Sequence, residues 1–133
     1  MEIRTYIAGI TFGDRQSYVK NLKVGYKLWL FRDPSNQFDK NAIQVLDSQK
    51  NQLGFIPKNV ASTLAPEMDR GILYNVIVCG IKLIDYDGHL GVEILAEPIE
   101  RDYIDEYDEA HISYASEFPD MEAYESWYES SDF

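Results

Sequence analysis

Apolar and polar positions along the first hundred residues fall into short blocks separated by turn-forming residues. Ile3, Tyr6, Ile7, Ile10 and Phe12 mark a first apolar stretch, which reads as a strand and breaks at Gly13-Asp14. Residues 15–22 read as one or two helical turns, with Tyr18, Val19 and Leu22 on one side and Gly25 closing the turn. Residues 26–32 are aromatic and aliphatic, as suits a pleated, half-buried strand. The polar run 33–41 follows, where Pro34 excludes a central strand. Residues 42–46 alternate as a strand, 48–51 make a turn, and 53–56 form a short strand ended by Pro57. Val60, Leu64 and Met68 have helical spacing, with Gly71 placed as a C-terminal stop and Pro66 predicting a broken or kinked helix. Residues 72–84 are apolar on both faces and read as a central strand. The Asp87-Gly88 hairpin signal then returns the chain through a strand at 90–95. About six short strands with one or two short helices predict a small barrel or a strongly curved sheet with a helix at one end.

Composition changes this picture at one place. The chain of 133 residues is 45% apolar and 14% aromatic, enough for one domain with a real core. Residues 1–98 carry 11 basic and 11 acidic side chains, whereas 99–133 carry Arg101 against 12 acids. The whole net charge of −11 therefore sits in the last segment, and the chain divides into a neutral folding unit, 1–98, and an acidic segment, 99–133. No apolar run approaches the ~18 residues of a membrane span. The N-terminus lacks the basic and apolar regions of a secretory signal, so a soluble, cytoplasmic protein is expected.

Catalytic chemistry finds little support. The sequence has no Gly-rich phosphate loop, no GxSxG, no HExxH and no CxxC. The single cysteine, Cys79, excludes an internal disulfide or a multi-cysteine metal site, and it reads as a core thiol. His89 falls in the hairpin turn beside Asp85 and Asp87, where solvated side chains are the plain reading. Neither a metal nor a cofactor is expected.

The polar run and its surroundings carry a more specific pattern. Arg32-Asp33-Pro34-Ser35-Asn36-Gln37-Phe38-Asp39-Lys40-Asn41-Ala42-Ile43-Gln44-Val45 resembles the signature of the HIRAN domain. Gly9-Ile10, Gly13-Asp14-Arg15-Gln16, Gln52-Leu53-Gly54-Phe55-Ile56-Pro57 and the Ala61–Asp69 stretch match in the same order, so the resemblance covers about residues 4–97. It implies a small OB-like β-barrel with a helix. It also implies a non-catalytic module that binds single-stranded DNA or captures its free 3′ end.

Carried over residue by residue, the resemblance places Asn36 and Asp39 at the terminal nucleotide. A carboxylate there would accept a hydrogen bond from a 3′ hydroxyl and repel a phosphate. Lys58 matches a basic residue that contacts the DNA backbone, Tyr6 an aromatic of the first strand, and Phe55 stands where a stacking histidine is found. Arg15 and Arg32 are further family-like cations, and Asn41 of the signature loop completes the candidate DNA-binding set. Each has a structural alternative: Asn36, Asp39 and Asn41 as turn-pinning residues, Phe55 in the core, Lys58 solvated at a helix start, and Arg32 paired with Asp33 or Asp39. Thr5-Tyr6-Ile7 lacks the arginine and second aromatic of the family's first strand, and Gln37 replaces a proline. These departures predict weaker or differently shaped DNA binding.

The acidic segment is unlike a plain solvated tail, because it also holds eight aromatics. Met121, Tyr124, Trp127 and Tyr128 predict a helix over 119–130, and Tyr103, Tyr107, Tyr124, Trp127 and Tyr128 are candidate partner-binding residues. Such a segment would pack on its own domain, bind a partner such as a nucleic-acid enzyme, or mimic nucleic acid. The last use defines the alternative to a DNA-binding module: a phage-type inhibitor of a host nuclease. For a tail that competes with DNA, its aromatics are expected against a surface holding both Lys58 and Arg32.

Overall fold

The computed structural model describes residues 2–99. Six strands, β1 (Ile3–Tyr6), β2 (Lys27–Arg32), β3 (Ile43–Leu46), β4 (Gln52–Phe55), β5 (Tyr74–Leu83) and β6 (Leu90–Pro98), form one antiparallel sheet in the order β1-β6-β5-β2-β3-β4. Two helices, α1 (Arg15–Val19) and α2 (Lys58–Asp69), complete it. The OB-like barrel expected from the sequence is thus present, with six strands and two helices.

The curl of the sheet follows from where its edges meet. Beyond Tyr6, Ile7 N–H still donates to Val92 O at 3.0 Å, so the chain stays beside β6. One residue later it crosses to β4: Ala8 N–H donates to Phe55 O at 2.7 Å, and Phe55 N–H donates to Ala8 O at 3.0 Å. This two-way exchange joins the β1 and β4 ends of the sheet. It brings the backbones so close at Gly54 that an added Cβ would lie 2.3 Å from Ala8 O and 2.6 Å from Ile7 Cγ2.

Inside the curl, Leu28, Ile43, Val45, Leu53, Val76 and Ile94 are almost fully buried. The helix α2 adds Ala61, Leu64 and Ala65, spaced i, i+3 and i+4 so that one face of the helix covers this core. It runs unbroken through Pro66, contrary to the expected break. The proline sits near the C-terminal end, where the carbonyl it leaves unbonded, that of Ser62, belongs to an exposed residue. Gly71 ends the helix as expected. Its φ is +98°, Ile72 N–H donates to Glu67 O, and Gly71 N–H donates to Met68 O, the paired bonds of a Schellman stop.

Strands β5 and β6 form the long hairpin that the sequence predicts. Its turn is tied by Asp85, whose Oδ1 accepts from Asp87 N–H and His89 N–H. A register shift between Val78 and Gly80 marks a bulge at Cys79. Cys79 is half-buried there rather than a core thiol, and Arg4 Nη1 lies 3.4 Å from its Sγ, a neighbour supplied by a distant strand. The helix expected over 119–130 lies outside the described residues.

Replacing Gly54 by alanine should break the edge-to-edge closure rather than merely stiffen a strand. Overpacking against fixed backbone is expected to cost about 1–3 kcal/mol. The measurement is urea unfolding, with the midpoint of Gly54→Ala compared against Gly71→Ala. Gly71 also has a positive φ, but open space surrounds it.

Candidate functional site

Strand alternation sorts the first strand before any ligand is considered. Thr5 and Ile7 are buried, while Arg4 and Tyr6 point out, and Tyr6 is 63% exposed. The position where the family has an arginine is thus an inward one in this chain. The cation on the outer face is Arg4, two residues before Tyr6.

Arg4 and Tyr6 border a groove of about 780 Å³ that also takes in Asn59, Lys82, Ile84 and Glu93. Its walls are β1, the far end of the β5–β6 hairpin, and the first turn of α2. Lys58, exposed at the start of α2, directly precedes Asn59. An exposed ring flanked by cations and short polar groups is suited to a single nucleic-acid strand, whose bases stack and whose phosphates seek positive charge. Sequence reasoning reached Tyr6 and Lys58 but missed Arg4, Asn59 and Lys82. The signal for Arg4 was its i, i+2 spacing from Tyr6. Lys82 carried none, because only strand pairing brings it to the groove.

The β2–β3 loop is pinned by its own side chains. Asn36 is buried, and its Oδ1 accepts from Phe38 N–H at 2.8 Å and Asp39 N–H at 2.9 Å. Its Nδ2 donates to Asp33 Oδ2 at 3.2 Å. Asp39 Oδ1 in turn accepts from Asn41 N–H at 2.9 Å. The turn-pinning alternative therefore describes what Asn36 and Asp39 do here, while Asn41 joins the network through its backbone rather than its side chain. Beneath them lies Asp33, 1% exposed. Burial pushes its carboxyl above the usual range, against the opposing hydrogen bonds from Asn36 and Ser35.

Besides Asn36, two further candidates offered for DNA contact lie inside the protein. Phe55 is 1% exposed, so its ring is core and not a stacking surface. The reason is its place at the sheet closure. Arg15 is 6% exposed, with its guanidinium 5.4 Å from the Phe12 ring centroid and 5.5 Å from that of Phe55. It donates to Gly9 O at 3.0 Å and also to Gln52 Oε1, which fastens α1 across the closure.

Arg32 makes a two-pronged pair with Asp69, both contacts at 2.9 Å, and donates to Ala42 O, rather than pairing with Asp33 or Asp39. The guanidinium holds the Asp69 carboxyl below its usual range. Arg32 consequently sits at the C-terminal end of α2, whereas Lys58 begins that helix, about 16 Å away at 1.5 Å per residue. The two residues expected on one surface therefore stand at opposite ends of α2. The groove's described lining does not include Asn36, Asp39 or Asn41.

Asp85, Asp87 and His89 each bring a ligand atom within 4.8 Å of the others. They are the residues among those described that could hold a cation. However, the hydrogen bonds of the turn, with His89 Nδ1 2.6 Å from Asp85 Oδ2, account for their arrangement.

A small curled antiparallel sheet capped by a helix, with an aromatic and basic groove on one side, has the build of a compact binding domain. The sequence matches the HIRAN domain over residues 1–82, and the chain belongs to that family. It is 37% identical over 67 residues to the Fanconi-associated nuclease 1 homolog of Arabidopsis thaliana, covering 50% of this chain and 7% of that protein. Over 52 residues it is 42% identical to an Arabidopsis thaliana protein described as a putative SWI/SNF-related matrix-associated actin-dependent regulator of chromatin subfamily A member 3-like 1, covering 39% of this chain and 6% of that protein. The chain thus spans under a tenth of the length of these curated relatives. In structure it is similar to the HIRAN domain of human HLTF, with a TM-score of 0.59 and 20% identity, covering 85% of this chain and 88% of that one. A Lactobacillus plantarum protein gives a TM-score of 0.58 at 27% identity, covering 72% of this chain and 95% of that one. The HLTF HIRAN domain in its DNA-bound conformation gives 0.52 at 22% identity, covering 86% and 88%.

The division between scaffold and groove is testable through stability. Asn36→Ala should cost about 1–3 kcal/mol, because it strands buried partners. Asp69→Asn should cost at most ~1 kcal/mol, since its pair is half-exposed. The sign for Asp69 follows from a folded-state pKa lowered below 3.8. Its contribution is complete above that value and is lost as pH falls through the folded pKa. Chemical unfolding at neutral and at low pH checks both: the Asp69→Asn deficit should vanish in acid.

Proposed function

We propose that this HIRAN domain is a non-catalytic nucleic-acid-binding module that takes single-stranded DNA, or the unpaired end of a duplex, along the groove beside Tyr6. The observation that carries this reading is the exposed Tyr6 ring in one groove with Arg4 and Lys82, with Lys58 next in sequence to the groove's Asn59, on a barrel of zero net charge. Membership of the family, and the DNA-bound conformation recorded for the HLTF domain, support it. The barrel has no net charge to hold a long polyanion, so binding is local and depends on stacking as well as on phosphate contacts.

The finer reading concerns the 3′ end. Of the two residues that the family resemblance assigns to the terminal nucleotide, Asp39 is the one left to meet a terminal hydroxyl, with the buried Asn36 holding it in position. The acidic segment would tune affinity through its charge, repelling DNA more at low salt than at high salt. A second reading rests on that same segment. With a net charge of −11 and eight aromatics, residues 99–133 would suit an inhibitor that presents carboxylates in place of phosphates to a nucleic-acid enzyme.

Fluorescence anisotropy with labelled oligonucleotides on the full chain separates these readings. Tyr6→Ala should weaken single-strand binding by about 1–3 kcal/mol, the worth of a stacked base. Lys82→Ala should weaken it evenly across sequences and lower the salt slope by about one. A 3′ phosphate should weaken binding by about 1–3 kcal/mol relative to a 3′ hydroxyl, and Asp39→Asn should erase that difference. Equal affinity for both ends would leave Asp39 as a turn residue. No binding to any oligonucleotide would favour the inhibitor.

A further inference from the structure

A second groove lies on the other side of the molecule from Tyr6 in sheet order, and the proposed function makes no use of it. It has a volume of about 290 Å³ and runs along the outer face of β2, between that strand and the chain that follows α2. Trp29, Phe31, Met68, Ile72, Leu73 and Tyr74 make it apolar, with Lys27 and the Arg32–Asp69 pair at its borders. Burial raises the Tyr74 hydroxyl pKa, as expected for a ring set partly into such a wall.

The described chain ends at this groove. Strand β6 pairs Pro98 with Tyr74, and the next residue, Ile99, donates its N–H to Leu73 O at 2.8 Å. Ile99, the last described residue, therefore lies beside two of the residues that line the groove. From Ile99, Tyr103 lies four residues on and can reach about 13 Å in extended chain, the length of β2 from Lys27 to Phe31. The first ten residues past Ile99 hold Tyr103, Ile104 and Tyr107 among six acids and one arginine. Their rings and aliphatic side chain match the lining in chemistry. Their carboxylates match Lys27 at the groove's border.

We propose that this groove is the docking site for the start of the chain's own acidic segment, with Tyr103, Ile104 and Tyr107 seated against Trp29 and Ile72. Tethering raises the segment's effective concentration into the mM range, so a modest apolar contact favours the same chain over a second copy. Docked here, the segment leaves the Tyr6 groove open. Its charge then acts on DNA at a distance rather than by filling the nucleic-acid site. The inference stands independently of what the Tyr6 groove binds.

The test uses the full chain in the Cys79→Ser background with Ala110→Cys, labelled with a nitroxide and observed by NMR. The Trp29 indole and the amides of Ile72, Leu73 and Tyr74 should lose most of their intensity relative to the reduced label, and adding Tyr103→Ser with Tyr107→Ser should restore it. In the unsubstituted chain, the same docking gives nuclear Overhauser contacts between the Trp29 indole and the Tyr103 or Tyr107 ring. Loss of signal at Tyr6, Asn59 and Lys82 instead would overturn the proposal, because the segment would then occupy the nucleic-acid groove. Loss at Trp29 that appears only between labelled and unlabelled molecules would overturn it in favour of a second copy. Unchanged signals around Trp29, without Overhauser contacts in the unsubstituted chain, would also overturn it.

Discussion

The exchange of two backbone hydrogen bonds between Ala8 and Phe55 is the constraint on which the rest of the molecule depends. It turns a six-stranded sheet into a curl with its two ends joined, and it can form only because Gly54 carries no side chain toward Ala8. Phe55 must then be core, since the residue at the closure faces inward. Arg15 must be core as well, since it binds across the closure to Gly9 and Gln52. A sheet end left unpaired would expose ladder groups to other chains; here the same bond that closes the curl removes that exposure.

From this closure follows a separation of roles. Polar groups in the β2–β3 loop and around α1 are spent on holding backbone. Asn36 satisfies two amides and touches a buried carboxylate. Gln16 bonds the carbonyls of Ile10 and Leu90 and accepts from Leu90 N–H, tying α1 to the start of β6. Groups able to meet a ligand lie where strands present their outer faces, at Arg4 and Tyr6 on β1 and at Lys82 on β5. A surface made of strand faces is stiff, which fixes where the ring and the cations stand.

The two grooves divide the surface in a way that charge counting alone would not suggest. One joins a tyrosine to two cations, Arg4 and Lys82, near the start of α2. The other is apolar and lies at the far end of the same helix, where the chain leaves β6. The length of α2 sets Lys58 and Arg32 about 16 Å apart, one at each end of the helix. The Asp69 pair further commits Arg32 to the scaffold.

Much of the fold was legible in the residues. Period-two alternation, the Asp87-Gly88 turn, the Gly71 stop and the helical spacing of residues 60–68 are local signals, and each is realised close to where it stands. The family was legible too, because its signature is a contiguous loop whose side chains bond to their own backbone. Pro66 misled because its cost depends on whether the carbonyl it abandons reaches water, which neighbouring residues do not reveal. Which residues form the site was decided by the tertiary structure. Arg4 and Tyr6 share a face by strand geometry, but Lys82 and Asn59 join them only through β5–β6 pairing and the seating of α2. Phe55 and Arg15, polar or aromatic residues in a motif, look alike in sequence whether they face a ligand or the core. Sheet closure turned them inward, because a bond between residues 47 positions apart in the chain is invisible to any local pattern.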